Sequence, residues 1–353
     1  MLARLGLKIK SNSWRSKYVK KYKYSTLANI IKKFDSKSVI VIGDLLLDQF
    51  ISGEVSRISP EAPVPVVWVK NEGYMPGGAC NVACNLAELG AKVSLIGIVG
   101  QDEKADMLKR LLAEKNISVE GIIADKERPT ILKTRVIANR QQVVRIDRED
   151  IRDITGKYVK RIHDYLIRNI DRFDGIIIED YGKGLITPEL LKKVVPLAKK
   201  HNKIIAVDPK ENHFSFYKDV DVLTPNNHEA SKAVGFKIDS GEKLRKAGDL
   251  MLKKLKVKVV LITLGEDGMM VFEKGKAPRK IPTLAQEVFD VSGAGDTVIA
   301  TYVLCIISGA SPIVAAHVAN CAAGIVVGKV GVAVVNKEEL KNRLKRETGR
   351  AKQ

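Results

Sequence analysis

The stretch Asp290-Val-Ser-Gly-Ala-Gly-Asp296 runs directly into an apolar segment, Thr297–Ile307. Gly293 and Gly295 carry no Cβ and let the backbone turn tightly. The N–H groups of Gly293, Ala294 and Gly295 then converge on one concavity, at the positive end of the helix that follows. Such a concavity is an anion hole. Asp296 stands at the same helix start. It can reach a hydroxyl beside a phosphate held there and act as its general base. A plainer reading is a Gly-rich turn with Asp296 as an ordinary first-turn acid, and this motif alone does not separate the two.

Two further stretches carry polar groups at strand or helix ends. In Pro76-Gly-Gly-Ala-Cys-Asn81, Gly77 and Gly78 open a helix of small residues, and Asn81 lies one turn in. An amide there can face a polyhydroxylated ligand, while Asp44, after Gly43, can accept from its hydroxyls. The plainer roles are a packing amide and a turn acid. In Thr224-Pro-Asn-Asn-His-Glu229, Asn226 and Glu229 are three apart at a helix start. They can hold hydrated Mg²⁺ and phosphate oxygens. By spacing alone a capping box is the better reading.

Strands and helices must alternate to bring these ends together. Ser38–Gly43, Val93–Val99, Gly175–Glu179, Ile204–Asp208, Val220–Thr224 and Val257–Thr263 are apolar runs of strand length. Helical periodicity fills the gaps, at Gly78–Leu89, Lys104–Lys115, Thr155–Asn169, Pro188–His201, Asn227–Val234 and Gly241–Leu255. Two more helices fit Ala294–Ser308 and Pro312–Val327. This predicts an α/β, doubly wound, mainly parallel sheet flanked by helices. Two segments without crossover helices, 49–69 and 130–146, read as a small β lid, the second turning at Asn139-Arg140.

The chain has 353 residues and a formal charge of +19. The excess sits at the ends. Residues 1–38 hold eleven Lys or Arg against Asp35, and residues 337–353 hold seven against three acids. A basic nucleic-acid face on the body is therefore not implied. The expected organisation is a flexible basic extension over 1–37 ending in a short helix over Ser25–Phe34, an α/β body over 38–340 and a basic tail over 341–353. No apolar run reaches membrane-spanning length. Cys80, Cys84, Cys305 and Cys321 lack zinc spacing and fit buried thiols in a reducing cytoplasm. There is no Walker A motif and no Gly-x-Gly-x-x-Gly.

Taken in order, Gly43-Asp44, Gly77-Gly78-Ala-Cys-Asn81, Asn226-x-x-Glu229, Thr263-Leu-Gly265-x-x-Gly268 and Gly293-Ala-Gly-Asp296 resemble the ribokinase-type (PfkB) sugar kinases, over about residues 38–340. Arg57–Val66, Asp180-Tyr-Gly-Lys-Gly184, Val207–Lys210 and Leu223–Asn226 resemble, more narrowly, the D-glycero-β-D-manno-heptose 7-phosphate kinases of ADP-heptose synthesis. The resemblance implies ATP-dependent phosphorylation of an anomeric hydroxyl, with Mg²⁺, by a homodimer packed through its lids. A PfkB kinase for another sugar or sugar phosphate is the alternative.

Roles follow from the resemblance residue by residue. Asp296 is implied as base, with Gly293, Ala294 and Gly295 as the anion hole. Asn226, Asn227, His228 and Glu229 match the nucleotide and Mg²⁺ segment, with Asn226 and Glu229 on the metal. Thr263, Gly265, Gly268, Asn320 and Ala323 match the nucleotide site. Asp44, Gly77, Gly78 and Asn81 match the sugar site. Arg57, Lys183 and Lys210 are the candidates for the sugar's own phosphate, because a dianion needs a cationic cluster.

Overall fold

The computed structural model describes residues 22–139, 141–284, 288–329 and 331–349. Its centre is a nine-stranded sheet in the order β13-β12-β11-β10-β9-β8-β1-β4-β5. The strands are β1 (Ser38–Gly43), β4 (Lys92–Gly100), β5 (Ile117–Asp125), β8 (Gly175–Glu179), β9 (Ile204–Asp208), β10 (Val222–Leu223), β11 (Val259–Thr263), β12 (Met269–Glu273) and β13 (Arg279–Ile281). All pairings are parallel except β11–β12 and β12–β13. The alternation of β1 explains the layering: Val39 and Val41 feed one core, Ile40 and Ile42 the other. Strands β5, β12 and β13 were not among the sequence expectations; β5 mixes polar residues into its apolar pattern.

One core lies under α1 (Tyr24–Lys32), α2 (Ala79–Glu88), α3 (Glu103–Ala113), α8 (Ala294–Ile307), α9 (Pro312–Val326) and α10 (Lys337–Gly349). The other lies under α4 (Gly156–Asn169), α5 (Pro188–Lys200), α6 (Asn227–Val234) and α7 (Gly241–Leu255). The expected lid is a separate four-stranded sheet, β3-β2-β6-β7. It comprises β2 (Leu45–Ile58), β3 (Pro65–Gly78), β6 (Ile131–Ala138) and β7 (Gln141–Arg148). It is longer than the segments 49–69 and 130–146, because β2 and β3 run unbroken to the active-site glycines. At its turn Asn139 is left-handed, and Arg140 lies outside the described residues. No helix among the described residues is long and apolar enough to cross a membrane.

The short helix expected at the end of the basic extension is present as α1, but it is packed into the body instead of standing free. Helix α1 buries Leu27 and Ile31, and Phe34 follows them into the core. Lys33 donates to the Ser308 carbonyl, and Asp35 pairs with Lys337 of α10. Helix α10 in turn buries Leu340 and Leu344. Residues 24–37 are thus part of the body, and the expected basic tail is helical as far as Gly349. Two amphipathic ends that each look too polar to fold find their apolar partners in one another and in the core. The first 21 residues of the expected extension lie outside the described ones. Phe34→Ala should cost about 3–5 kcal/mol, the usual range for a buried aromatic. Urea titration checks this, and an unchanged midpoint would mean that the α1 segment is not anchored.

Candidate active site

Gly293 caps α8 in the left-handed conformation, at φ 76° and ψ 6°. A side chain there would meet Asn81 Nδ2 at 2.8 Å, so glycine permits both the turn and the close approach of α2. Thr297 locks the two helices together. Its hydroxyl donates to Asn85 Oδ1 at 2.8 Å, while Asn85 Nδ2 donates to the Asn81 carbonyl at 2.9 Å. Asn81 Nδ2 then donates to Asp296 Oδ2 at 2.5 Å, and the Tyr181 hydroxyl donates to Oδ1 at 3.3 Å. Burial pushes the Asp296 carboxyl up to about 6, with the two hydrogen bonds opposing it. The carboxylate is therefore ionised at pH 7–8 and still basic enough to take a proton.

Two cavities meet across the Gly293–Asp296 turn. The larger, about 520 Å³, is mostly apolar, and Ala294 and Gly295 form its wall. Thr263, Gly265, Gly268, Asn320 and Ala323, all expected at a nucleotide site, line it too. Asn320 is fixed by donating to the Pro282 carbonyl at 2.6 Å. The smaller cavity, about 120 Å³, holds Asp296, Gly293, Gly77, Gly78 and Asn81, together with Tyr181 and the lid residues Asp48, Lys133 and Arg135. Gly77 is required because a Cβ there would lie 2.2 Å from Asp48 Oδ2. Of the three expected anion-hole donors, Ala294 N–H is turned back onto the Val291 carbonyl at 3.2 Å. Among the described residues Gly293 and Gly295 N–H make no hydrogen bond.

Several expected site residues do other work. Asn226 and Glu229 form the capping box of α6. Asn226 Oδ1 accepts from the N–H groups of His228 and Glu229, at 2.9 and 3.0 Å, and Glu229 Oε2 accepts from the Asn226 N–H at 2.8 Å. Asn227 and His228 are exposed. Asp44 lines neither cavity. Its carboxylate accepts from the N–H groups of Tyr181, Lys183 and Leu185, at 2.9, 3.1 and 3.2 Å, and so shapes the Asp180–Gly184 loop. Burial, then the Asp180 charge, pushes it up to about 6. Lys183 is held by Glu149 at 2.6 Å, Lys210 lies 3.8 Å from Glu211, and Arg57 is exposed at the far end of β2. None of the three lines the small cavity.

The structure also gathers acids not singled out from the sequence. Glu179 and Asp208 end adjacent parallel strands in register. With Asp296 they present three carboxylate oxygens within 4.8 Å of one another. Burial pushes Glu179 and Asp208 well up, helped for Glu179 by the charges of Asp208 and Asp296 and for Asp208 by those of Glu229 and Asp296. Thr224 donates to Asp208 at 2.8 Å, but Glu179 Oε2 is buried without a partner. No Lys or Arg pairs with either acid among the described residues. A small hard cation fits this donor set, which supplies oxygen ligands and an unmatched negative charge. The available signal was a single acid closing each apolar strand at the carboxyl edge of a parallel sheet. For Lys133 and Arg135 it was two cations at period two in a lid strand.

The sequence pattern described as pfkB family carbohydrate kinase matches residues 36–339. Two similar curated proteins are both called Bifunctional protein HldE. That of Geobacter sulfurreducens is 45% identical over 303 residues, covering 86% of this chain and 62% of the relative. That of Desulfatibacillum aliphaticivorans is 44% identical over 314 residues, covering 89% and 64%. The chain therefore spans less than two thirds of these relatives' length. Similar solved structures include Arabidopsis thaliana ribokinase complexed with ribose and ATP (TM-score 0.70, 19% identity, 88% of this chain and 99% of that one). Another is Escherichia coli phosphofructokinase-2 in complex with substrates and products (TM-score 0.73, 17% identity, the same coverage). At these identities the likeness is one of fold, and it matches the ribokinase-like architecture described above.

Proposed function

For a chain that belongs to the pfkB family of carbohydrate kinases, we propose ATP-dependent phosphorylation of the anomeric hydroxyl of D-glycero-β-D-manno-heptose 7-phosphate, giving the 1,7-bisphosphate for ADP-heptose synthesis. The observation that carries a phosphoryl transfer is the pair of cavities divided by Gly293–Asp296. One is large and apolar enough for an adenine nucleotide, and the other is polar and holds the buried carboxylate. The choice of heptose rests on the Arg57–Val66 and Asp180–Gly184 stretches and on the relatives' identity of 44–45%.

In this reading Asp296 takes the proton of the attacking hydroxyl as its oxygen bonds to the γ-phosphorus of ATP and the bond from that phosphorus to the bridging oxygen breaks, releasing ADP. Asn81 and Tyr181 hold its carboxylate in line. The free N–H groups of Gly293 and Gly295, at the positive end of α8, stabilise the charge on the transferring phosphoryl group. Glu179 and Asp208 are the residues suited to hold Mg²⁺, with Glu229 beside them. When bound, that ion neutralises phosphate charge. Asn226 has spent its side-chain oxygen on the helix cap and sets the position of Glu229 instead. The four buried free cysteines support the cytoplasm as the compartment.

Incubation with ATP, Mg²⁺ and heptose 7-phosphate should yield a bisphosphate detectable by mass spectrometry. Faster turnover of ribose or fructose 6-phosphate would replace the heptose reading with another sugar. The lid exposes Ile58, Trp68 and Ile146, each more than half accessible. An apolar sheet left open in this way supports a two-fold dimer with the lids packed together. Trp68→Glu should give a monomer by light scattering and raise the KM for the sugar. A full-length wild-type monomer would refute the lid dimer.

A further inference from the structure

We propose that Lys133 and Arg135, on lid strand β6, grip the phosphate that the acceptor sugar already carries. The assignment rests on reading the small cavity as the acceptor site, and it names the charge that selects a phosphorylated sugar there.

Both residues line that cavity with Asp296 and Tyr181. Their spacing of two puts them on one face of the strand, and the register sets Lys133 beside Asp48 of β2 and opposite Asp147 of β7. The other cations around the pocket are occupied. Lys183 is paired with Glu149, Arg135 with Asp48, and Arg145 with Asp147 at 2.9 Å. Among the described residues, Lys133 has no carboxylate within 4.0 Å. Its ammonium instead sits 5.4 Å from the centroid of the Tyr181 ring. Burial and the neighbouring Lys183 charge both disfavour its protonated form. A half-buried ammonium with unfilled donors is an unfinished site, and a phosphate dianion completes it.

Arg135 adds the second half. Its guanidinium is parked on Asp48, and it has further N–H donors to offer an arriving phosphate. The Tyr181 ring carries Lys133 on one side, while its hydroxyl reaches Asp296. The grip on the remote phosphate and the base are therefore separated by one side chain. A plain aromatic-stacking role for Lys133 is the rival account, and it makes a different prediction.

The test is steady-state kinetics of the full chain with heptose 7-phosphate and with heptose lacking the phosphate. Lys133→Met keeps the apolar stem on Tyr181 and removes the charge. It should lower kcat/KM for the phosphorylated acceptor about 10- to 100-fold, as expected for a lost charge-assisted contact, mostly through KM. The preference for phosphorylated over unphosphorylated acceptor should fall by the same factor, and Lys133→Arg should restore most of it. If Lys133→Met does not fold, Arg135→Gln is read in the same way. Inorganic phosphate should compete with the sugar in the wild type, with a weaker inhibition constant in either variant. An equal fractional loss on both acceptors would assign Lys133 to packing and overturn the proposal. If heptose is not turned over but fructose 6-phosphate is, the heptose reading fails and the same ratio, taken against fructose, still judges Lys133. Turnover of unphosphorylated sugars alone would overturn both.

Discussion

Asp296→Asn should lower kcat by about 10²–10⁴, the range for loss of a general base. The substitution keeps the volume and one acceptor oxygen, so Asn81 or Tyr181 can still donate to residue 296. It removes the negative charge and with it the ability to take a proton. ATP affinity should therefore change little, because Ala294 and Gly295, not Asp296, form the wall of the large cavity. Folding should survive as well, and in chelator it should improve. Asp296 sits within a knot of acids whose charges oppose one another's ionisation, including Glu179 and Asp208. A neutral amide removes one member of that knot. Single-turnover kinetics and thermal unfolding on the same sample check both halves. Near-normal kcat would remove Asp296 from the chemistry. A collapsed melting temperature would mean that its role is to hold the α2–α8 seam.

Asp296 stands out in the chain, and Glu179 and Asp208 do not, for a physical reason. Its glycines announce a backbone conformation, and a left-handed Gly293 before an apolar helix has few other uses. The main sheet was legible for a similar reason: β1 and β8, buried on both faces, are unbroken apolar runs. Glu179 and Asp208 carry no such mark, and Asp44, marked only by the glycine before it, does not show which groups it holds. Each is an acid at the end of a buried strand, and what it does depends on which loop crosses above it. Asn226 and Glu229 show the opposite hazard. Their spacing satisfies a helix cap completely, and the structure uses it as one. The lid cations escaped because charge at alternate positions of a half-exposed antiparallel lid strand is ordinarily a solvated face. Only the closing of β6 over the small cavity makes Lys133 distinctive.

Asp44→Ala should damage stability and catalysis together. Among the described residues the carboxylate is the one side chain that the N–H groups of Tyr181, Lys183 and Leu185 share, so removing it leaves three inward donors without their acceptor. Each such donor costs about 1–3 kcal/mol when buried and unpaired. Against this stands the cost of the buried charge itself. The folded carboxyl lies at about 6 against an ordinary 3.8, so its favourable contribution is complete below 3.8 and is lost as pH rises through about 6. At pH 8 that loss amounts to about 3 kcal/mol, and at pH 5 to about half as much. The destabilisation caused by alanine should therefore be larger at pH 5 than at pH 8, by about 1 kcal/mol. A surface acid stabilised by a salt bridge would give the opposite trend. Catalysis suffers because the freed loop no longer aims Tyr181 at Asp296. Urea titrations at the two pH values, with kcat measured at pH 8, check the prediction. A larger loss at pH 8 than at pH 5 would mean that Asp44 is held as a favoured charge. Unchanged kcat in the folded variant would mean that the loop keeps its shape without it.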